Sequence, residues 1–319
     1  MTIIALDIGG TKITAGQFTV DGILLRRSKE LLEGRRGASV GQLAAEMVRS
    51  VIPGKSGEEG TVKVGISIPG IVCPETGQVW APNIPGWDHY PLKDEIHCIT
   101  GIPSADISIE SDRSCCIMGE IWKGAAVGCS NALFIAVGTG IGVGMFIDGR
   151  ILHGFGDIAG ASGWMALETP YDHKFDACGC FEYYASGNGI GARAREMIRA
   201  DRSYEEVMKG GNLEKITAHD VFRLYAEGDT VAVKVLDKAV QMWGMASANL
   251  VSLLNPEKII WGGGIFGPAC KFLDNIYREA KKWAQPVSIH QVTFEASRLG
   301  ENAALYGAAK LAVMKKNII

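Results

Sequence analysis

Short apolar runs rich in β-branched residues alternate along the chain with stretches of helical spacing, which predicts an α/β fold. The first run, residues 2–8, ends in Asp7-Ile8-Gly9-Gly10-Thr11-Lys12. Two further strand-like runs follow at 13–19 and 23–28. Val40, Leu43, Ala44, Met47 and Val51 recur at helical spacing, so a helix is expected over 39–52. A buried strand over 62–68 ends in Pro69-Gly70. Residues 71–90 carry Pro74, Gly77, Pro82, Pro85 and Gly86 and predict a surface hairpin and loop. A helix over 91–100, a strand over 106–110 and a helix over 113–122 come next, the last with Asp112 as its candidate cap.

The pattern then restarts. A strand over 132–137, a Gly138-Thr139-Gly140 turn and a strand over 142–147 lead into Asp148-Gly149, a strong hairpin signal. Residues 219–254 read as helical, 258–261 as a strand running into Gly262-Gly263-Gly264, 271–283 as a helix and 301–314 as the closing helix. The two starts echo each other. Gly10–Gly16 and Gly138–Gly144 agree at four of seven positions, each as strand, Gly-Thr turn and returning strand. Two similar halves facing each other leave a cleft, the usual place for a ligand.

A length of 319 residues suits two domains. With 47% hydrophobic and 21% charged residues, the chain is neither disordered, fibrous nor a coiled coil. A net charge of −3 argues against nucleic acid or an anionic membrane as the main partner. The uncharged run 124–147 has the length of a membrane span, yet its six glycines with Ser130, Asn131 and Thr139 read as buried strands around a turn. Eight cysteines in a chain this size read as reduced thiols, and the first residues show no signal peptide. A cytoplasmic protein is expected.

Glycine is abundant, at 41 residues, and clusters where strands end. A glycine turn exposes backbone N–H groups that suit phosphate oxygens. No G-x-x-x-x-G-K-[ST] segment occurs, so this is not a P-loop protein. A strand rather than a helix follows Gly138–Gly144, which excludes a dinucleotide fingerprint.

Taken in order, Leu6–Lys12, Gly138–Gly142 and Gly262–Gly264 resemble the ROK family, the bacterial sugar kinases and repressors of the actin-like ATPase superfamily. The likeness continues through Val64–Gly70, Pro74-Glu75-Thr76-Gly77 and Ala81–Trp87, over nearly the whole chain. It implies two RNase H-like domains with ATP and a sugar in the cleft between them. The expected division is a smaller domain over 1–122, a larger one over 123–300, and a helix over 301–319 packing back on the first. By the same resemblance, Gly9, Gly10, Thr11 and Lys12, with Gly138, Thr139 and Gly140, handle the ATP phosphates, and Gly262, Gly263 and Gly264 lie near the adenosine. Asp7 would hold Mg²⁺; as a residue it also reads as a cap or turn former.

Phosphoryl transfer to a sugar hydroxyl needs positioning, charge neutralisation and a carboxylate to take the proton. The family's Asp of a Glu-Asn-Asp-Ala-Asn-like segment matches Asp112 in Glu110-Ser111-Asp112-Arg113-Ser114. Ser111 stands where the family has an Asn that contacts sugar, and Arg113 replaces a small residue. Asn83 matches a family sugar contact, or is a loop Asn bonding its own backbone.

The family's Gly-Glu-x-Gly-His, whose Glu and His bind sugar, here reads Gly160-Ala161-Ser162-Gly163-Trp164. Trp164 suits stacking on a sugar face or an aglycone, or plain packing. The family's zinc motif is shortened to Cys178-Gly179-Cys180-Phe181-Glu182. Cys178, Cys180 and His173 fall short of the four ligands a structural zinc wants, so no zinc is expected. Glu182 matches the family's last sugar-binding Glu, or is a helix-start carboxylate. The expectation is an ATP-dependent sugar kinase using Mg²⁺, a homodimer by resemblance. The alternative is a catalytically silent sugar-binding or regulatory relative. The family's repressors carry an N-terminal DNA-binding segment for which a first strand starting at residue 3 leaves no room.

Overall fold

A computed structural model of the chain describes residues 1–52, 61–200 and 213–314. Its first five-stranded sheet contains β1 (Thr2–Ile8), β2 (Lys12–Phe18), β3 (Leu24–Leu31), β4 (Val62–Ile68) and β7 (Ile107–Ser111), in the order β3-β2-β1-β4-β7. A small hairpin of β5 (Ile71–Val72) and β6 (Val79–Trp80) lies between β4 and β7 in the chain. The second sheet contains β8 (Ala132–Val137), β9 (Ile141–Ile147), β10 (Arg150–Ile151), β11 (Lys258–Gly262) and β12 (Thr293–Ala296), in the order β10-β9-β8-β11-β12. Both sheets thus have one topology. The first three strands form an antiparallel meander, and the last two add in parallel beyond the first strand. The repeated glycine segments occupy the same place in each, the turn between first and second strand, as two RNase H-like domains require.

The residues of β1 alternate in direction, as strand geometry demands. Ile4, Leu6 and Ile8 join a core with Val40, Ala44 and Val48 of α1 (Ala38–Val51) and with Leu92 and Ile96 of α2 (Leu92–Thr100). Ile3 and Ala5 point the other way, towards Cys115 and Met118 of α3 (Asp112–Lys123). On the second sheet, Leu133, Ile135 and Trp261 join the largest core. It includes Phe181 of α4 (Cys180–Ala185), Ile190 of α5 (Gly187–Ala200), Val221 of α6 (Ala218–Ala226) and Trp243 of α7 (Thr230–Leu254). Ile276 of α8 (Leu273–Ala280) and Ile289 of α9 (Ser288–Gln291) complete it.

The last described helix, α10 (Ala303–Val313), returns to the first sheet, where Leu305, Ala308 and Ala309 pack with Ile3, Ala5 and Phe18. Residues 315–319, the end of the expected closing helix, lie outside the described residues. Helix α3 touches both sheets: Cys115 and Met118 pack towards β1, while Ile117 joins Ala132, Phe134 and Ile260.

The helical stretch 219–254 is two helices, because Gly228 turns the chain at φ +81° and Asp229 caps a new helix by accepting from the Ala232 N–H. One expectation is corrected. Residue 112 does not cap α3. Ser111 does, its hydroxyl accepting from the Ser114 N–H, and Asp112 becomes the first helical residue. Among the described residues no helix is long and apolar enough to cross a membrane.

Candidate active site

Strands β1, β4 and β7 run parallel, so their C-terminal ends share one edge, the usual ligand edge of an α/β sheet. Asp7 stands there beside Ser67, and Ser67 beside Glu110. Burial first, and then the nearby charge of Asp112, push the Asp7 carboxyl up to about 6, against the opposing charges of Lys12 and Arg27. Burial likewise raises Asp112, opposed by the Arg113 charge and by N–H groups at the start of α3. Two carboxylates therefore share a site with incomplete compensation.

The Gly9–Lys12 turn closes through the Gly9 N–H donating to the Lys12 carbonyl at 2.9 Å. A methyl on Gly10 would stand 3.1 Å from the Asn83 carbonyl oxygen, so the absent side chain lets the Asn83 loop close over the turn. The Thr11 carbonyl accepts from the Leu32 N–H. Lys12 points its ammonium to Glu301, 3.4 Å away, and Arg27 reaches the same carboxylate.

On the second sheet, the Gly138 N–H donates to the Gly140 carbonyl, and the Gly138 carbonyl accepts from the Gly187 N–H at 2.7 Å. The Gly138 turn thus meets the first residue of α5. A cleft of about 510 Å³ opens here, lined by Gly138, Thr139, Gly187, Asn188, Lys215 and Gly264 among others. Of the third glycine cluster only Gly264 lines it. Gly262 lies against the Phe134 ring, and Gly263, at φ +95°, against the Val137 backbone. The α5 N-terminus and Lys215 were not read from the sequence, although Ser186, whose hydroxyl accepts from the Gly189 N–H at 2.9 Å, marks the helix start.

Glu182 sits behind the same turn. Its Oε2 accepts from the Ile141 N–H at 2.7 Å, and methyl groups on Gly140 or Gly163 would approach that oxygen to 2.6 and 2.8 Å. Burial raises its carboxyl, opposed by the Ile141 N–H. It is a helix-start residue whose side chain turns away to the second sheet. Trp164 has 60% of its surface exposed and stacks on no other ring among the described residues, so packing does not account for it. Ser111 is buried, and its hydroxyl is spent on the cap and on Ser114 Oγ at 3.0 Å, so it does not replace the Asn contact.

Among the described residues Cys178, Cys180 and His173 are not gathered as metal ligands; His173 bonds Asp176 instead. The set that does gather is Glu110, His153 and Asp157, whose ligand atoms lie within 4.8 Å of one another. It flanks Asp112. His153 Nε2 stands 2.8 Å from Glu110 Oε2, and Arg113 donates to the Asp157 carbonyl at 3.2 Å. The sequence reading missed it because His153 and Asp157 follow the second sheet's hairpin, 43 residues from the strand they meet.

Known proteins fit this geometry over almost all of the chain. A glucokinase of Halalkalibacterium halodurans is 29% identical, with 98% of this chain and 96% of that one covered. A β-glucoside kinase of Listeria monocytogenes is 31% identical, covering 83% of each. The crystal structure of a ROK family glucokinase from Streptomyces griseus with glucose and AMPPNP superposes with a TM-score of 0.79 at 29% identity, over 98% of this chain and 99% of that one. The family model for the ROK family matches residues 3–315, and with two sheets of one topology, each turning on its Gly-Thr segment, the chain belongs to the ROK family.

Proposed function

We propose that this ROK-family enzyme transfers the γ-phosphoryl group of ATP to a hydroxyl of a hexose, amino sugar or related sugar, with Asp112 as general base. One observation carries the reading. Asp112 is a carboxylate at the ligand edge of the first sheet, relieved of capping by Ser111, on the helix that packs against β9. That strand leaves the glycine turn lining the second sheet's cleft.

The cleft fits a nucleotide. Gly138, Gly187, Gly191 and Gly264 give part of its wall as bare backbone, and the α5 N-terminus, Arg195 and Lys215 supply positive potential for phosphates beside the single carboxylate of Glu214. The AMPPNP complex of the Streptomyces griseus glucokinase supports the same assignment. Asp7 and Asp112 offer oxygen ligands at a site short of positive charge, which suits Mg²⁺, held through Asp7. When bound, the ion supplies charge neutralisation for the transferring phosphate.

The protein's own part is then positioning and proton transfer. The acceptor hydroxyl gives its proton to the Asp112 carboxylate as its oxygen forms a bond to the γ-phosphorus. The bond from that phosphorus to the β–γ bridging oxygen breaks, and ADP leaves. Asn83, closed over Gly10, and the exposed ring of Trp164 are the side chains offered to the acceptor, while Glu182 holds the Gly138–Gly140 turn in place through the Ile141 N–H. The domains, 1–122 with the returning α10 and 123–300, close on the two substrates.

Asp112→Asn tests the reading. It is expected to lower kcat by about 10²–10⁴-fold, while affinity for a fluorescent ATP analogue stays within about threefold. Undiminished turnover would place the base elsewhere. Ala161 and Trp164, which remove two sugar-binding side chains of the family pattern, favour a second reading, a silent sugar-binding relative. Wild-type protein that binds a sugar and ATP yet releases no ADP with any sugar would establish it.

A further inference from the structure

Two carboxylates and an imidazole converge at the seam between the two sheets, with too little positive charge to balance them. Glu110 comes from the end of β7 in the first sheet, and His153 and Asp157 come from the loop after β10 in the second. One ligand atom of each lies within 4.8 Å of the other two. Asp157 has 8% of its surface exposed, and Glu110 12% of its side chain. Among the described residues neither carboxylate forms an ion pair with a lysine or arginine. Arg113 donates to the Asp157 backbone carbonyl instead, at 3.2 Å. His153, even when protonated, sets one positive charge against two negative ones.

The donors are oriented from outside the set, as the ligands of a metal are. Glu110 Oε1 accepts from the Ser111 N–H at 2.8 Å, which leaves Oε2 to face His153 Nε2, also at 2.8 Å. Asp157 Oδ2 accepts from the Val72 N–H at 3.4 Å, and among the described residues that long bond is the only one to this carboxylate. A charge more than nine-tenths buried therefore stands almost without a partner. Its backbone is left-handed, at φ +61°, after Gly154 and Gly156 at +69° and +64°. An aspartate keeps that conformation only where its surroundings enforce it. Phe155, at the tip of the loop, is fully exposed, so polar groups rather than the tip's own ring hold the loop to the first sheet.

Adjacent ligands of a cation with bonds of about 2.1 Å stand about 3.0–3.4 Å apart, and opposed ones about 4.2 Å apart. The three donors fit such a shell with shifts of under about 1 Å. We propose that Glu110, His153 and Asp157 bind a divalent first-row transition cation of the Mn²⁺ or Zn²⁺ class, which clamps the loop after β10 to the end of β7, beside Asp112. An imidazole ligand disfavours Mg²⁺ and two carboxylates disfavour soft cations, so the set selects this class. In the cation-free protein, His153 and Glu110 hold each other by their hydrogen bond. None of the three residues has a part in phosphoryl transfer as proposed above, so the site stands whether or not that reading holds.

Chelator-treated, nucleotide-free protein is titrated with Mn²⁺ in excess Mg²⁺, which occupies the site at Asp7, and free Mn²⁺ is read by electron paramagnetic resonance. One Mn²⁺ is expected to bind in the micromolar range, to raise the thermal midpoint and to be displaced by Zn²⁺. Spin-echo modulation of the bound ion is expected to show an imidazole nitrogen, which a site of carboxylates alone lacks. His153→Gln and Asp157→Asn are each expected to weaken binding by at least about tenfold, the first also removing the nitrogen signal. Asparagine tolerates the left-handed backbone and His153 is half-exposed, and circular dichroism matching wild type confirms that both variants fold. Asp7→Asn is expected to leave the affinity within about twofold, since its site is a different one. ADP release enters none of these readings, so a failed kinase reading would leave them intact. No binding of either cation, a bound Mn²⁺ without the nitrogen signal, unchanged affinity in both variants, or loss of the ion in Asp7→Asn alone would each overturn the proposal.

Discussion

A carboxyl whose affinity for its proton rises on folding works against stability once it ionises, and Asp7, pushed up to about 6 by burial and by Asp112, is such a group. The folded protein holds the extra proton between the ordinary value of 3.8 and about 6. The cost is therefore absent below about 4, grows as pH rises through that window and is complete above it, at about 3 kcal/mol. Asp7→Asn is expected to raise the thermal midpoint of the ligand-free protein at pH 7.5 and flatten its pH dependence between 4 and 6, while abolishing the Mg²⁺-dependent part of ATP binding. A lowered midpoint at pH 7.5 would refute the assignment. The acceptor wall allows a second test at this scale. Restoring the family's side chains by Trp164→His with Ala161→Glu is expected to improve kcat/KM on glucose, read by coupled ADP release. No gain would mean that the pocket differs by more than these two positions. Asp7 and Asp112 were singled out because their segments resemble the family's, and both lie at the ligand edge of the first sheet. The spending of Ser111 on a cap was not legible, since serine and aspartate are near-equal cap formers and only the fold decides between them.

Elements were legible where one period dominated. Strands β1, β4 and β8, nearly pure apolar runs, lie at or within a residue of where periodicity puts them. The helical register over 219–254 ran on across Gly228 because α6 and α7 bury faces against the same core, so the apolar pattern continues while the backbone does not. What periodicity does not convey is how close helices come. A methyl on Gly307 of α10 would overlap the Cys115 carbonyl of α3, and one on Gly65 of β4 would overlap the Ala308 carbonyl. A carbonyl in a helix has no rotamer by which to yield, so the helices must move apart. Gly307→Ala is expected to cost about 1–3 kcal/mol in urea unfolding. It should also lower kcat, because α3 carries Asp112 at its first position. Loss of stability with kcat unchanged would show that α3 keeps its place without this contact. Gly267, whose added methyl meets nothing, is the control.

At the scale of the whole molecule, the short echo between Gly10–Gly16 and Gly138–Gly144 stands for an entire duplicated sheet, and little else of the duplication survives in the residues. Strand order is preserved by pairing and burial, which many apolar residues satisfy, whereas the turn between first and second strand admits few. The two sheets are joined through α3, through α10 and through the contact of His153 with Glu110, which ties the loop after β10 to β7. The Glu110 hydrogen bond raises the His153 pKa above its ordinary 6.5, burial opposing it. A histidine so raised contributes its stabilisation in full below about 6.5 and loses it as pH climbs through the higher folded value. With 45% of the side chain exposed, the contribution is under about 1 kcal/mol. Thermal midpoints of wild type and His153→Gln are therefore expected to differ at pH 6 and to converge at pH 8.5, the variant being the flatter. The same comparison with AMPPNP, Mg²⁺ and an acceptor sugar asks whether the contact survives closure of the cleft. A difference that persists in the ligand-bound protein means the two sheets move together at this loop, so that closure turns about α3 while the ring of Phe155 stays fixed relative to Asp112. A difference that disappears on binding means that the loop lets go of Glu110 as the domains close, and the ring of Phe155 would then move with the second sheet.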